Sequence, residues 1–202
     1  MKYPEFYNQV KAIKLYDPLS EFLGSFEDGI IEFNYLNIVQ AAGHSCPTVA
    51  GAYLITYKAL EALYPNEIAE RGNIRVEFRE NIEEGVAGVI ANVISNITGA
   101  TRITGFKGIA GKFVRHSLMD FGANINSSAR FTRKDTNKSV EVYYNPSSVG
   151  GSPMMQPLMQ KIMSGMASKE EKVEFGNMWQ ARVKAIIIDN CDNEAVIKVV
   201  EL

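Results

Sequence analysis

Residues 43–66, GHSCPTVAGAYLITYKALEALYPN, carry the clearest local signal in the chain. Val49, Tyr53, Tyr57, Leu60 and Leu63 recur at spacings of three and four, the period that lines one face of an α-helix. Pro47 suits a first helical turn because it has no N–H to leave unpaired, and Tyr64-Pro65-Asn66 stops the run. A helix over Pro47 to Leu63 follows, with Cys46 at or beside its N-cap. Unpaired backbone N–H groups and the positive end of the helix dipole gather there, and both stabilise a thiolate. His44, two residues before the cysteine, supplies a cation or a second metal donor. One of only two histidines and one of only two cysteines thus fall within five residues at a helix start.

Working outward, Asn73 to Phe78 (NIRVEF) alternates Ile74, Val76 and Phe78 with Arg75 and Glu77, the pattern of a half-buried strand. Val86 to Ile97 places Val89, Ile90, Val93, Ile94 and Ile97 at helical spacing. Ser128 to Thr132 and Val140 to Tyr143, joined at Asp135-Thr136-Asn137, read as a hairpin. Toward the N-terminus, short helices are expected after Pro4 and Pro18. Asn145 to Gly151 is a loop of turn residues, and beyond it comes a methionine-rich helix from Pro153 to Met163. Ser168-Lys169-Glu170-Glu171 is a capping box opening another helix, and Ala195 to Val200 is a closing strand. Together these predict a single α+β domain over 1–202, with a core over 1–145 and a helical extension over 146–202.

The totals agree with an ordinary globular protein: 202 residues, 46% hydrophobic, 22% charged, net charge −2. A dedicated nucleic-acid binder would show a basic surplus, so no nucleic-acid partner is expected. No apolar run approaches the ~18 residues of a membrane span, and the opening MKYPEFYNQVKAIKLYDP is polar and mixed in charge. The expected location is cytoplasmic, with no membrane partner. Two cysteines without a CxxC pair give neither a disulfide framework nor a self-contained zinc finger.

GHSCPTVAGAYLITYKALEALYP resembles the signature of the FmdE family, named after a protein encoded alongside molybdenum formylmethanofuran dehydrogenase. Weaker similarity runs through Ile97-Thr98-Gly99-Ala100-Thr101, Asp120-Phe121-Gly122 and ARFTRKDTNKSVEV, covering roughly Ile30 to Val142. The resemblance implies a thioredoxin-like core with a mixed sheet flanked by helices, homodimerisation, and a metal site using His44 and Cys46. Ala100 stands where the family typically has a cysteine, and Cys191 alone downstream cannot build the C-terminal zinc finger that some members carry. The chain therefore reads as a diverged subfamily without that finger.

Two donors alone hold zinc or iron poorly, since such sites usually want three or four. His116, the other imidazole, and Asp120 are the candidates to complete a site of His44 and Cys46. Gly105, Gly108 and Gly111, with Lys107 and Lys112, form a glycine-rich run that can fold into an N–H nest for an anion. In that reading Gly108, Gly111 and Lys112 bind a small anionic ligand and the loop closes over the His44/Cys46 site. The leading expectation is a transition-metal or metal-cofactor protein, with zinc or iron first. The alternatives are an enzyme using Cys46 as a thiolate nucleophile activated by His44, and a dimeric accessory protein that pairs with a redox-enzyme subunit of an anaerobic operon.

Overall fold

The strand and helix periods resolve into two sheets and six α-helices in the computed structural model, which describes residues 1–202. A 3-10 turn (Glu5–Gln9) leads into β1 (Ile13–Tyr16), α1 (Pro18–Phe22), β2 (Ile30–Phe33) and α2 (Tyr35–Ala42). There follow α3 (Pro47–Leu63), β3 (Ala69–Glu70), β4 (Ile74–Phe78), α4 (Ala87–Thr98) and β5 (Met119–Asp120). The chain closes with β6 (Ala129–Arg133), β7 (Ser139–Tyr144), α5 (Met155–Met163), α6 (Lys169–Lys184), a π-helical turn at Ala185–Asp189, and β8 (Ile197–Glu201).

The larger sheet runs in the order β5-β4-β6-β7-β8, with β4 and β5 parallel and every other pair antiparallel. A smaller sheet, β2-β1-β3, lies beside it. Strand alternation sorts the larger sheet into two faces. Ile74, Val76, Phe78, Ala129, Phe131, Val140 and Val142 are buried and join α3 and α4 in one apolar core. The other face carries Glu77, Arg130 and Glu141, linked by ion pairs of 3.7 Å and 2.6 Å through Arg130. Helices on one face of a mixed sheet make this an α+β fold, as the sequence predicts.

The helix boundaries at α3 and α4 fall where the apolar period places them, and Ser168 and Glu171 form the capping box of α6. Strands β1 and β2 carry no comparable local signal. The stretch after Asn145 is joined to the core through its last strand, where the sequence places one, and through apolar side chains. Strand β8 pairs with β7 from Val140 to Tyr144, and Val183, Ile187 and Ile197 enter the main core.

Candidate functional site

Helix α2 ends on Gly43 in the left-handed conformation (φ +75°), and His44 and Ser45 turn the chain into α3. A left-handed residue closes a helix at least strain when it is glycine. Cys46 is the N-cap of α3: its backbone is extended and its Sγ accepts the N–H of Val49 at 3.4 Å. His44 is exposed, with Nδ1 3.0 Å from the carbonyl oxygen of Ala42. A carbonyl only accepts, so Nδ1 carries a proton, and in the neutral ring Nε2 keeps its lone pair. The loop therefore offers an imidazole nitrogen and a sulfur two residues apart.

Distant elements fix this loop. Trp179 Nε1 and Gln180 Nε2, both on α6, donate to the Ser45 carbonyl at 3.1 Å each. The Ser45 hydroxyl shares a 2.9 Å hydrogen bond with Tyr35 on α2, and Tyr144 at the end of β7 donates to the Pro47 carbonyl at 2.7 Å. Burial raises the Tyr35 and Tyr144 phenols well above their ordinary range, so both are neutral hydroxyls. The Tyr144 ring lies on Gly51: a Cβ there would stand 2.8 Å from Tyr144 Oη and nearer still to the ring carbons. A cavity of about 210 Å³ opens beside the first turn of α3, lined by Thr48, Tyr144, Ser128, Phe78, Arg79 and Ile90.

Sequence reading passed over the residues that grip the loop, Tyr35, Tyr144, Trp179 and Gln180. One signal was present: Gly51 interrupts a helix where alanine is worth up to about 1 kcal/mol more, and such a glycine marks close approach by another group.

The remaining expected site residues lie elsewhere. Arg133, at the end of β6, donates to the carbonyl of Leu63 at the last turn of α3, so that end of the sheet is a helix length from Cys46. Seventeen residues at ~1.5 Å each make that about 25 Å. His116 belongs to this far end, because the neighbouring Arg115 is anchored to Asp17 and to the Arg71 carbonyl. Asp120 is on the other face of the sheet. Its neighbour Met119 points into the core opposite Val76, and a period of two turns Asp120 outward opposite Glu77. Neither completes a site with His44 and Cys46 within one chain, and no group of three or more His, Cys, Asp or Glu side chains is gathered for a metal.

The glycine-rich run is also remote from Cys46. Ile109 and Lys112 exchange two backbone hydrogen bonds of 2.9 Å around Ala110 (φ +48°) and Gly111 (φ +78°), a tight two-residue turn. Gly108 (φ +92°) leaves room for the Lys112 carbonyl, which a Cβ would strike. The backbone N–H of Lys112 is thus spent on the turn, as is that of Ile109. Lys112 itself is exposed.

Cys191 lines a separate, mostly apolar cavity of about 210 Å³ with Tyr57, Lys58 and Ile187. Burial, and then the neighbouring Asp192 carboxylate, push its thiol above the ordinary range. No helix is long and apolar enough to cross a membrane. No curated protein matches the chain. The family model FmdE, described as molybdenum formylmethanofuran dehydrogenase operon, matches residues 41–195, which span the His44–Cys46 loop and, of the residues that grip it, Tyr144, Trp179 and Gln180. The chain belongs to the FmdE family.

Proposed function

We propose that the His44–Cys46 loop binds a transition metal or a metal-containing cofactor, with zinc or iron the ions best matched to one imidazole and one thiolate. The observation that carries this reading is the 3.0 Å contact of His44 Nδ1 with the Ala42 carbonyl. Hydrogen-bonding one ring nitrogen to a carbonyl is the usual means of presenting the other to a metal. Cys46 Sγ sits at the mouth of α3, where backbone N–H groups favour negative charge. A single chain supplies two donors, so the site requires others from water, an exogenous ligand or a second chain. His116 and Asp120 serve as donors only if they come from that second chain.

A homodimer fits this requirement. Met154, Met159, Met163, Met166 and Val173 leave an apolar face exposed on the α5–α6 arm, and α6 also holds Ser45 through Trp179 and Gln180. A thioredoxin-like description of the core rests on its parallel pair β4/β5 joined through α4, followed by the antiparallel hairpin β6–β7. The reading makes the protein a cytoplasmic FmdE-like metal protein whose partner is a redox-enzyme subunit or a small anionic ligand.

The test is elemental analysis of protein purified without a histidine tag, with mass by light scattering. Wild type is expected to carry metal and Cys46→Ala to lose it, at twice the 22.4 kDa of one chain. Equal metal content in the two proteins overturns the site, and a mass of one chain at micromolar concentration overturns the dimer.

A second reading follows from the Val49 N–H on Cys46 Sγ, which suits a thiolate nucleophile as well as a ligand. Metal-free wild type that retains a fast-reacting Cys46 supports it.

A further inference from the structure

We propose a second ligand site, at the far end of α3 from Cys46: a basic cavity between Arg115, Lys112 and Lys134 that takes the anionic group, phosphate or polycarboxylate, of a small molecule. The cavity has a volume of about 320 Å³, room for a small metabolite. Four cations line it, Arg71, Lys112, Arg115 and Lys134, and one acid, Glu70. Asp17 adds a second negative charge beneath, bridging Arg71 at 3.0 Å and Arg115 at 2.6 Å. Four positive against two negative leaves +2 at this place on a chain whose net charge is −2.

Arg115 gives the site its built character. It is only 5% exposed, and its guanidinium lies over Gly72, where a Cβ would come within 2.9 Å of Nε and nearer still to Cζ and Nη1. Two of its nitrogens are engaged, by Asp17 and by the Arg71 carbonyl. Its Nε is buried and has no hydrogen-bond partner. A buried cationic N–H without an acceptor is destabilising, and an anion seated against the Arg115 guanidinium would relieve it. Lys112 and Lys134 stand at the rim without an acidic partner; Lys134 reaches only the Gly72 carbonyl, at 3.5 Å. Lysine ammonium groups are point charges suited to phosphate or carboxylate oxygens.

The tight turn at Ala110–Gly111 and the positive φ of Phe113 (+62°) present Lys112 and the Phe113 ring together. Phe113 packs on Phe22 with ring centroids 5.4 Å apart and gives the cavity one apolar wall. Left-handed backbone at a phenylalanine is costly and recurs where a side chain must be placed for a ligand. A charged end and an apolar wall suit an organic anion better than a bare ion.

The site is independent of the metal reading, because none of its groups touches the His44–Cys46 loop. Isothermal titration of the full chain with pyrophosphate and with citrate, at fixed ionic strength in chloride, tests it. Saturable 1:1 binding of either anion is expected, and the anion that binds identifies the source chemistry. Lys112→Gln with Lys134→Gln removes two exposed charges and is expected to weaken binding about tenfold or more, the scale of two nearby charges in screened solution. Lys172→Gln, a remote exposed lysine on α6, is expected to leave binding unchanged. Absence of saturable binding by both anions overturns the proposal. So does an unchanged affinity in the double variant, or an equal loss in Lys172→Gln.

Discussion

Gly51→Ala is expected to destabilise the protein, against the usual direction. In a helix interior, replacing glycine by alanine normally gains roughly 0.5–1 kcal/mol, because alanine loses less backbone freedom on folding. At Gly51 the added Cβ meets the Tyr144 ring, with Oη at 2.8 Å and ring carbons closer. The ring cannot retreat at little cost, since its hydroxyl is held 2.7 Å from the Pro47 carbonyl and the side chain is half-buried. Overpacking of this kind costs about 1–3 kcal/mol. Subtracting the propensity gain leaves a net loss of up to roughly 2.5 kcal/mol, or a melting temperature lower by up to about 10 °C for a chain of this size. Gly176 on α6 is the control: nothing lies within 4 Å of its Cβ position, so Gly176→Ala is expected to gain roughly 0.5–1 kcal/mol. Urea denaturation of both variants reads the two signs. Tyr144→Ala removes the clash, so Gly51→Ala made in that background is expected to become neutral or stabilising, a non-additivity that only direct contact produces. Stability of Gly51→Ala equal to or above wild type, or simple additivity with Tyr144→Ala, refutes the assignment of Tyr144 as the group that packs on α3.

Three further outcomes are expected. Asp17→Asn leaves the buried Arg115 without its counter-ion and should cost about 3–5 kcal/mol, whereas Glu32→Gln, breaking the exposed pair with Lys14, should change stability by less than about 1 kcal/mol; comparable losses in denaturation would argue against burial as the cause. In metal-free protein at pH 7, iodoacetamide should modify Cys46 faster than Cys191, whose thiol is raised by burial and Asp192, and mass spectrometry showing equal or reversed rates would contradict this. Arg130 holds the Glu141 carboxyl below its ordinary range; a depressed folded pKa means stability that is present above the unfolded value of about 4.3 and is lost as pH falls through the folded one. Glu141→Gln should therefore flatten the acid limb of a stability-versus-pH curve, and an unchanged limb would remove Glu141 from it.

The α+β class, α3, α4, the β6–β7 hairpin and the cap of α6 were legible in the sequence because each rests on local physics. The apolar period reports which face will be buried, Pro47 marks a helix start because it has no N–H to leave unpaired, and Ser168 marks one by accepting the Glu171 N–H. Placing Cys46 at a helix start was a local inference too. Strands β1 and β2 were not legible: both are four residues long, and β1 exists because it is paired on both sides, with β2 and β3. Position in space was the larger loss. His116 and Asp120 are suitable donors by residue type, yet Arg115 anchors one to the far end of α3 and strand alternation turns the other to the outer face. The same holds in the opposite sense for Tyr144, Trp179 and Gln180. They lie 97, 134 and 135 residues from the loop backbone atoms they bind, and only the packed fold brings their hydrogen bonds to it. The sequence by itself determined where the long helices α3, α4 and α6 and the β6–β7 hairpin fall, and where the reactive pair His44 and Cys46 sits along the chain. Tertiary structure decided what surrounds that pair and drew Lys112, Arg115 and Lys134 into a basic cavity at the other end of α3, because long-range contacts depend on sheet order and strand register, which no local pattern encodes.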